Sequence, residues 1–355
     1  MPYRTGMIFD MRAKIRKFWQ KTGRDRGQEG FVLPYVLVAI AIISIVASIA
    51  AQRLQNTSAM ISRIQEDTET EIAFMNAEAE TLYAFLTGVP MQGGMDLTSY
   101  DGVRPSGDDE RVVDLWSAAG ETRRVDTFYG PVLVTYHDVS GLVSLNTSDT
   151  KMLEKFIVSL NVKPSTAQTM AATLDDYRDT DHRRQFRGAE RADYRLRKLP
   201  LPANSPLRSY GELDTILHWP EVLETLDMHA FMDVTTLANG EGFMKLAFAD
   251  PKLLEVLGLN SLIARNDLSK DGFRGAIAGD LFPTNRARFI FKFRTPSGNY
   301  RQRVVELERR INTADKPFEK FWVYQTTVLE DQKNAEFAQI NELKNVFHAS
   351  SNIAQ

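Results

Sequence analysis

"GFVLPYVLVAIAIISIVASIAAQRLQ", residues 30–55, decides how the rest of the chain is read. From Phe31 to Ala51 it is an uninterrupted apolar run of 21 residues. At about 1.5 Å per residue, a helix of that length spans roughly 30 Å, one hydrocarbon core. Pro34 falls in the first turn, where its missing N–H costs little. A secretory signal has an apolar core of about 7–15 residues and then a small-residue cleavage site. This run is longer, and Ala50-Ala51 continue into Gln52-Arg53 with no turn signal. Basic residues precede it: Arg4, Arg12, Lys14, Arg16, Lys17, Lys21, Arg24 and Arg26, against Asp10, Asp25 and Glu29. That excess keeps the N-terminus cytoplasmic and sends everything after Ala51 across the membrane. On hydropathy alone this is a plain single-pass anchor.

The segment after the apolar run is not a flexible linker. From Ser58 to Leu86 there is no proline or glycine, and Ile61, Ile64, Ile72, Met75, Ala79, Leu82 and Leu86 recur at three-, four- and seven-residue steps. The spacing predicts an amphipathic helix continuous with the membrane helix, its apolar stripe on those residues.

The remaining composition narrows the function classes. A chain of 355 residues with 43% hydrophobic content buries at least one substantial core. A net charge of −3 gives no global attraction to nucleic acid, and the absence of cysteine excludes disulfides and thiolate chemistry. His137, His182, His218, His229 and His348 are scattered without metal-ligand spacing, and no nucleophile elbow, P-loop or dinucleotide fingerprint occurs. The pattern argues against an enzyme.

Beyond the helix, Thr87 to Glu110 is rich in glycine, proline and aspartate and reads as a loop. Strands are predicted over Arg111–Trp116, Pro131–Val139 and Lys320–Thr327, with a hairpin in "RARFIFKFRTPSGNYRQRVVELERR". In that hairpin Ala287, Phe289, Phe291 and Phe293 face one way and Arg288, Lys292 and Arg294 the other, with Pro296-Ser297-Gly298 at the turn. Strands at both ends with helices between them predict one antiparallel sheet interrupted by a helical insertion. The insertion opens near Asn146, and Ser148 or Asp149 is placed to cap its first helix.

The stretch Asp175–Tyr194, "DDYRDTDHRRQFRGAERADY", mixes acids and arginines. Asp176, Asp179, Asp181, Glu190 and Asp193 offer the oxygens that a hard cation such as calcium needs. It lacks the regular EF-hand loop. Arg178, Arg183, Arg184, Arg187 and Arg191 offer the other outcome, a surface ion-pair network, which the residues by themselves favour.

Taken in order, these segments resemble a known family. Gly30-Phe31 followed by "VLPYVLVAIAII" resembles the class III signal of type IV pilins and type II secretion pseudopilins. Asn146-Thr147 resembles the entry of the helical domain of the minor pseudopilin K family. "DDYRDTDHRRQFRGAERADY" and "LPANSPLRSYGEL" resemble that family's later segments, with Tyr177 standing in a tryptophan's place. The second helical-domain entry, sought over residues 231–251, is degenerate.

The resemblance implies an α+β fold, a pilin-like long N-terminal helix packed on an antiparallel sheet. A large helical insertion of the SAM-like or helix-hairpin-helix-like kind would lie between strands. It implies a basic leader at 1–30, a transmembrane and filament-core helix at 31–51, and the pilin-like helix with first strands at 52–145. The helical insertion follows at 146–269, the C-terminal strands at 270–329, and a C-terminal helical extension at 330–355. In the extension, Phe337, Ile340, Leu343 and Phe347 share one side. A prepilin peptidase would cut after Gly30 and methylate Phe31. The glutamate usual five residues into the mature pilin is replaced by Tyr35, and K-type subunits characteristically lack it; proteins of that family can also bind calcium in their helical domain.

The implied function is a minor pseudopilin at the tip of the type II secretion pseudopilus, in the bacterial inner membrane with its body in the periplasm. Its implied partners are the minor pseudopilins of types I and J. The alternative is a minor pilin of a type IV pilus, or a membrane-tethered helix-hairpin-helix binding protein. Against nucleic acid stands the hairpin position, Asn161-Val162-Lys163. It lacks the glycines that let a backbone approach phosphate.

Overall fold

The computed structural model describes residues 32–98, 113–240, 243–259, 273–274, 281–310, 316–327, 343, 344 and 346. Gly30, Phe31, the leader, and the C-terminal Phe337, Ile340 and Phe347 lie outside the described residues. The chain divides into two compact units, Met1–Gln65 and Glu66–Gln355.

Within the first unit stands the start of helix α1 (Val32–Thr87), long and apolar enough to cross a membrane. The end of α1, from Glu66, belongs to the second unit. There it buries Thr70, Ala73, Phe74, Ala77, Thr81, Ala84 and Phe85. This corrects the expected stripe: Ile61, Ile64, Ile72 and Met75 are exposed, and Leu82 and Leu86 are half-buried. The true inner face also repeats at three and four residues, but it is built from alanine, threonine and two phenylalanines. Small side chains let a helix approach a sheet closely, and the two rings fill the space that remains. Phe74 meets Phe293 edge-on at 6.3 Å and Phe85 meets Phe289 at 5.5 Å.

That sheet has five antiparallel strands. β4 (Ala119–Thr127) and β5 (Gly130–Asp138) form one hairpin, and β10 (Arg286–Arg294), β11 (Tyr300–Arg309) and β12 (Phe318–Thr327) a meander, in the order β12-β11-β10-β5-β4. The central register sets Phe289 opposite Tyr136 on one side and Val305 on the other. A smaller three-stranded sheet, β1 (Val89–Met91), β2 (Gly94–Asp96) and β3 (Leu115–Ser117), lies before it. The strand expected at Arg111–Trp116 is thus β3, and β4 is an additional strand. Arg124 of β4 exchanges backbone hydrogen bonds with Lys344 and Val346, at 2.9 and 2.8 Å, and Val346 is buried. At Lys344 and Val346 the C-terminal stretch therefore pairs as a strand would, where a helix was expected.

The other face of the sheet is not solvent. Arg288, placed outward by the alternation, is only 1% exposed. It pairs with Glu306, its direct cross-strand neighbour, at 2.9 Å and donates to the carbonyl of Met232 at 2.7 Å. A buried charge needs such partners, and they come from the neighbouring strand and from the helices that cover this face.

Those helices occupy the chain between β5 and β10. β6 (Val143–Ser144) leads to α2 (Thr150–Ser159), capped by Asp149, which accepts from the Met152 N–H at 2.7 Å. Asn161, left-handed at φ 64°, turns the chain into α3 (Pro164–Arg178). α4 (Arg191–Leu196), α5 (Pro220–Leu223) and α6 (Met228–Val234) follow, and β7 (Thr235–Thr236) returns parallel to β6. The motif then begins again. β8 (Met244–Lys245) leads through Asp250 to α7 (Pro251–Val256), left-handed Gly258 follows, and β9 (Phe273–Arg274) returns parallel to β8. Leu246, Asp250 and Leu253-Leu254 occupy the places of Leu145, Asp149 and Met152-Leu153. The second entry therefore exists, and it starts at Met244.

Candidate functional site

The acidic stretch folds around the end of α3 and the start of α4. Asp175 and Asp176 are in the last turn of α3, and Asp179 is its C-cap. Glu190 is the N-cap of α4, and Asp193 closes the capping box by accepting from the Glu190 N–H at 3.0 Å. The loop between them is drawn back against α3 by Asp176, which accepts from the Gln185 N–H at 3.1 Å. Gly188 is required where the loop passes, because a Cβ there would sit 1.9 Å from Asp176 Oδ2.

The fold sorts the five candidate ligands. One carboxylate oxygen from each of Asp179, Asp181 and Glu190 lies within 4.8 Å of the others. Asp176 stands beside them and is fully buried. Asp193 does not join the group, being held by its cap and by Arg184 at 3.2 Å. The expected arginine network is correspondingly small. Arg178 pairs with Asp175 at 2.7 Å and also donates to the carbonyls of Leu145 and Ser148, so it ties α3 to the segment between β6 and α2. Arg187 donates to the Ser165 carbonyl. Among the described residues no arginine pairs with Asp176, Asp179, Asp181 or Glu190.

Electrostatically the cluster is under tension. Burial, with Glu190, Asp179 and Asp175 nearby, pushes the Asp176 carboxyl up to about 7. Burial and then Asp181 and Glu190 push Asp179 up as well. Asp179 Oδ1 and Glu190 Oε1 are buried without a hydrogen-bond partner. Converging carboxylates with orphaned inner oxygens fit a hard cation, whose charge would offset their repulsion and whose coordination would use those oxygens. The segment's composition marked the acids, but Asp175, Arg178 and Gly188 carry roles that only the helix-to-loop contact assigns.

The other sequence candidates lie elsewhere. Tyr35 is in α1, 69% exposed. His182 Nδ1 is exposed and lies 3.2 Å from Asn204 Nδ2. His137 is buried in β5. The cleft lined by Ser144, Thr236, Lys245, Thr284 and Arg286 offers about 410 Å³ between the sheet and the helical repeats. Its hydroxyls donate internally, Ser144 to Ala238 O and Thr284 to Asp138.

Comparison with known proteins bears on this helical region. Residues 137–229, which run from the end of β5 to the start of α6 and include the acidic cluster, match the family described as "Type II secretion system (T2SS), protein K". That family is a structural component of the secretion system and not an enzyme. The match supports the K-type minor pseudopilin resemblance seen in the sequence. Among solved structures, a chain in "The Crystal Structure of the GspK-GspI-GspJ complex from enterotoxigenic Escherichia coli Type 2 Secretion System" is similar over 76% of this chain and 100% of that one. Its sequence identity is 15% and its TM-score 0.46. No curated protein matches the chain.

Proposed function

We propose that this chain is a minor pseudopilin of the K type, which ends the pseudopilus of a type II secretion machine and supports export of folded proteins across the outer membrane. The observation that carries the reading is the protein K match at residues 137–229, in a chain whose helix α1 is long and apolar enough to cross a membrane. In this reading α1 waits in the bacterial inner membrane, with the body in the periplasm, until assembly moves it among the helices of other subunits. That transfer is from one apolar surrounding to another and exposes nothing to water.

Two features support a tip position. The helical repeats are inserted between β5 and β10, which are neighbours in the sheet, so they add bulk to one side of the body. Tyr35 occupies the place of the usual glutamate, and a subunit at the tip has no neighbour above it to need that carboxylate. Types I and J of the minor pseudopilins are the partners this reading implies. A prepilin peptidase would cut between Gly30 and Phe31 and methylate Phe31.

The ligand proposed for Asp179, Asp181, Glu190 and Asp176 is calcium. The set is all oxygen, and Asp179 Oδ1 and Glu190 Oε1 are buried without a hydrogen-bond donor. A ligand that binds only the native state raises the melting temperature by mass action. Calcium should raise that temperature over chelator, and Asp179→Asn with Glu190→Gln should abolish the rise. Mass spectrometry of the mature N-terminus tests the main reading. A methylated Phe31 is the expected end, and a chain starting at Met1, or cut after Ala51, would refute it.

A further inference from the structure

Beside the acidic cluster, the outer surface of the same loop and helix carries the opposite charge. Residues 183–198 hold seven basic residues against Glu190 and Asp193, in a chain whose net charge is −3. The two acids are not available outside: Glu190 is buried and Asp193 is held by Arg184. Arg183, Arg191, Arg195, Arg197 and Lys198 are exposed, and among the described residues their side chains have no ion-pair partner. Two large apolar side chains stand among them, Phe186 at 80% exposure and Leu196 at 85%. Asp193 and Leu196 are one helical turn apart on α4, and Asp193 holds Arg184, two residues from Phe186.

From this arrangement we infer that residues 183–198 form a docking surface for an anionic phospholipid bilayer. Guanidinium groups bind phosphate in bidentate fashion, and a ring and an isobutyl group projecting between them reach the boundary of headgroups and acyl chains. An acidic protein segment would match the charge, yet it would leave Phe186 and Leu196 in water unless it brought its own pocket. A lipid surface covers both kinds of group at once. Arg187 lies over the Phe186 ring at 5.6 Å, a cation beside the exposed aromatic group.

The chain has no cysteine, so Ala192→Cys, on the exposed surface of α4, takes one environment-sensitive fluorophore and spares every residue invoked. The labelled full chain is reconstituted into phosphatidylcholine vesicles with and without phosphatidylglycerol. Brighter, blue-shifted emission is expected only with phosphatidylglycerol, and it should fade at high salt. Arg191→Gln and Arg195→Gln should each lower the docked-to-free ratio about fivefold. Phe186→Ser with Leu196→Ser should remove the blue shift, and an unchanged circular dichroism spectrum would show that the fold is kept. Identical emission in the two vesicle types overturns the inference. So does a response to polyglutamate with none to lipid, which would assign the surface to an acidic protein segment.

Discussion

Replacing Glu306 by leucine tests the view that a buried ion pair fastens the helical repeats to the sheet. Glu306 is 2% exposed and receives Arg288 Nη2 at 2.9 Å and Arg286 Nε at 2.7 Å, with the Thr236 hydroxyl 3.3 Å away. Leucine fills a similar volume but removes the carboxylate that bridges the two arginines. Arg288, 1% exposed, then keeps the Met232 carbonyl at 2.7 Å and no longer has its cross-strand anion. Breaking a buried pair from one side costs about 3–5 kcal/mol. For a body of this size, roughly 2–4 °C is lost per kcal/mol, so Glu306→Leu should melt about 10 °C below the parent chain. The double change Arg288→Met with Glu306→Leu removes both charges, and such exchanges are often neutral or stabilising. It should recover at least half of the loss, a positive coupling in a double-mutant cycle. Thermal unfolding of the detergent-solubilised chain, followed by circular dichroism, reads all four members. A single Glu306→Leu variant that melts with the parent, or a double variant that falls by the sum of the singles, would refute the reasoning.

Three further outcomes are expected from the same structure. Gly188→Ala places a Cβ 1.9 Å from Asp176 Oδ2, so the carboxylate must turn away from the Gln185 N–H. The change should cost about 1–3 kcal/mol in a chemical denaturation curve, where an unchanged midpoint would contradict the contact. Burial drives His137 down to about 4 although Asp250 opposes it. A histidine lowered in the folded state gives its full stability above its unfolded value near 6.5 and loses up to about 3 kcal/mol as pH falls through that window to 4. His137→Gln should flatten this part of the melting-temperature profile, and a parallel profile would count against it. Tyr35→Glu should leave secretion equal or lower, because a carboxylate costs about 2.5–3.5 kcal/mol at the bilayer centre and less near the helix end. Longer filaments carrying this protein along the shaft would contradict a tip position.

Several features were fixed by the chain's local chemistry. The run from Phe31 to Ala51 has no charge, so a membrane-length helix is determined by composition alone. The alternation of Phe289, Phe291 and Phe293 determined β10 and its inner face, and Asp149 determined the start of α2, because period and capping act within a few residues. The acids of residues 176–193 were legible as a group for the same reason.

Other features depend on residues far apart in the chain. The bulky stripe through Ile61, Ile72 and Met75 was the stronger periodic signal, yet α1 packs through Ala73, Ala77 and Ala84, because the sheet accepts only a close approach there. Arg288 reads as solvent-facing until Glu306 and the carbonyls of residues 232 and 233 surround it. The second repeat is visible through the parallel pairing of β8 with β9, which no local pattern announces. Asp193 separated from Asp179, Asp181 and Glu190 because a capping box and Arg184 claimed it first. Hydrophobic period, caps and turns are set by neighbours in sequence. Which face is buried, and which charges meet, is decided by surfaces that only folding brings together.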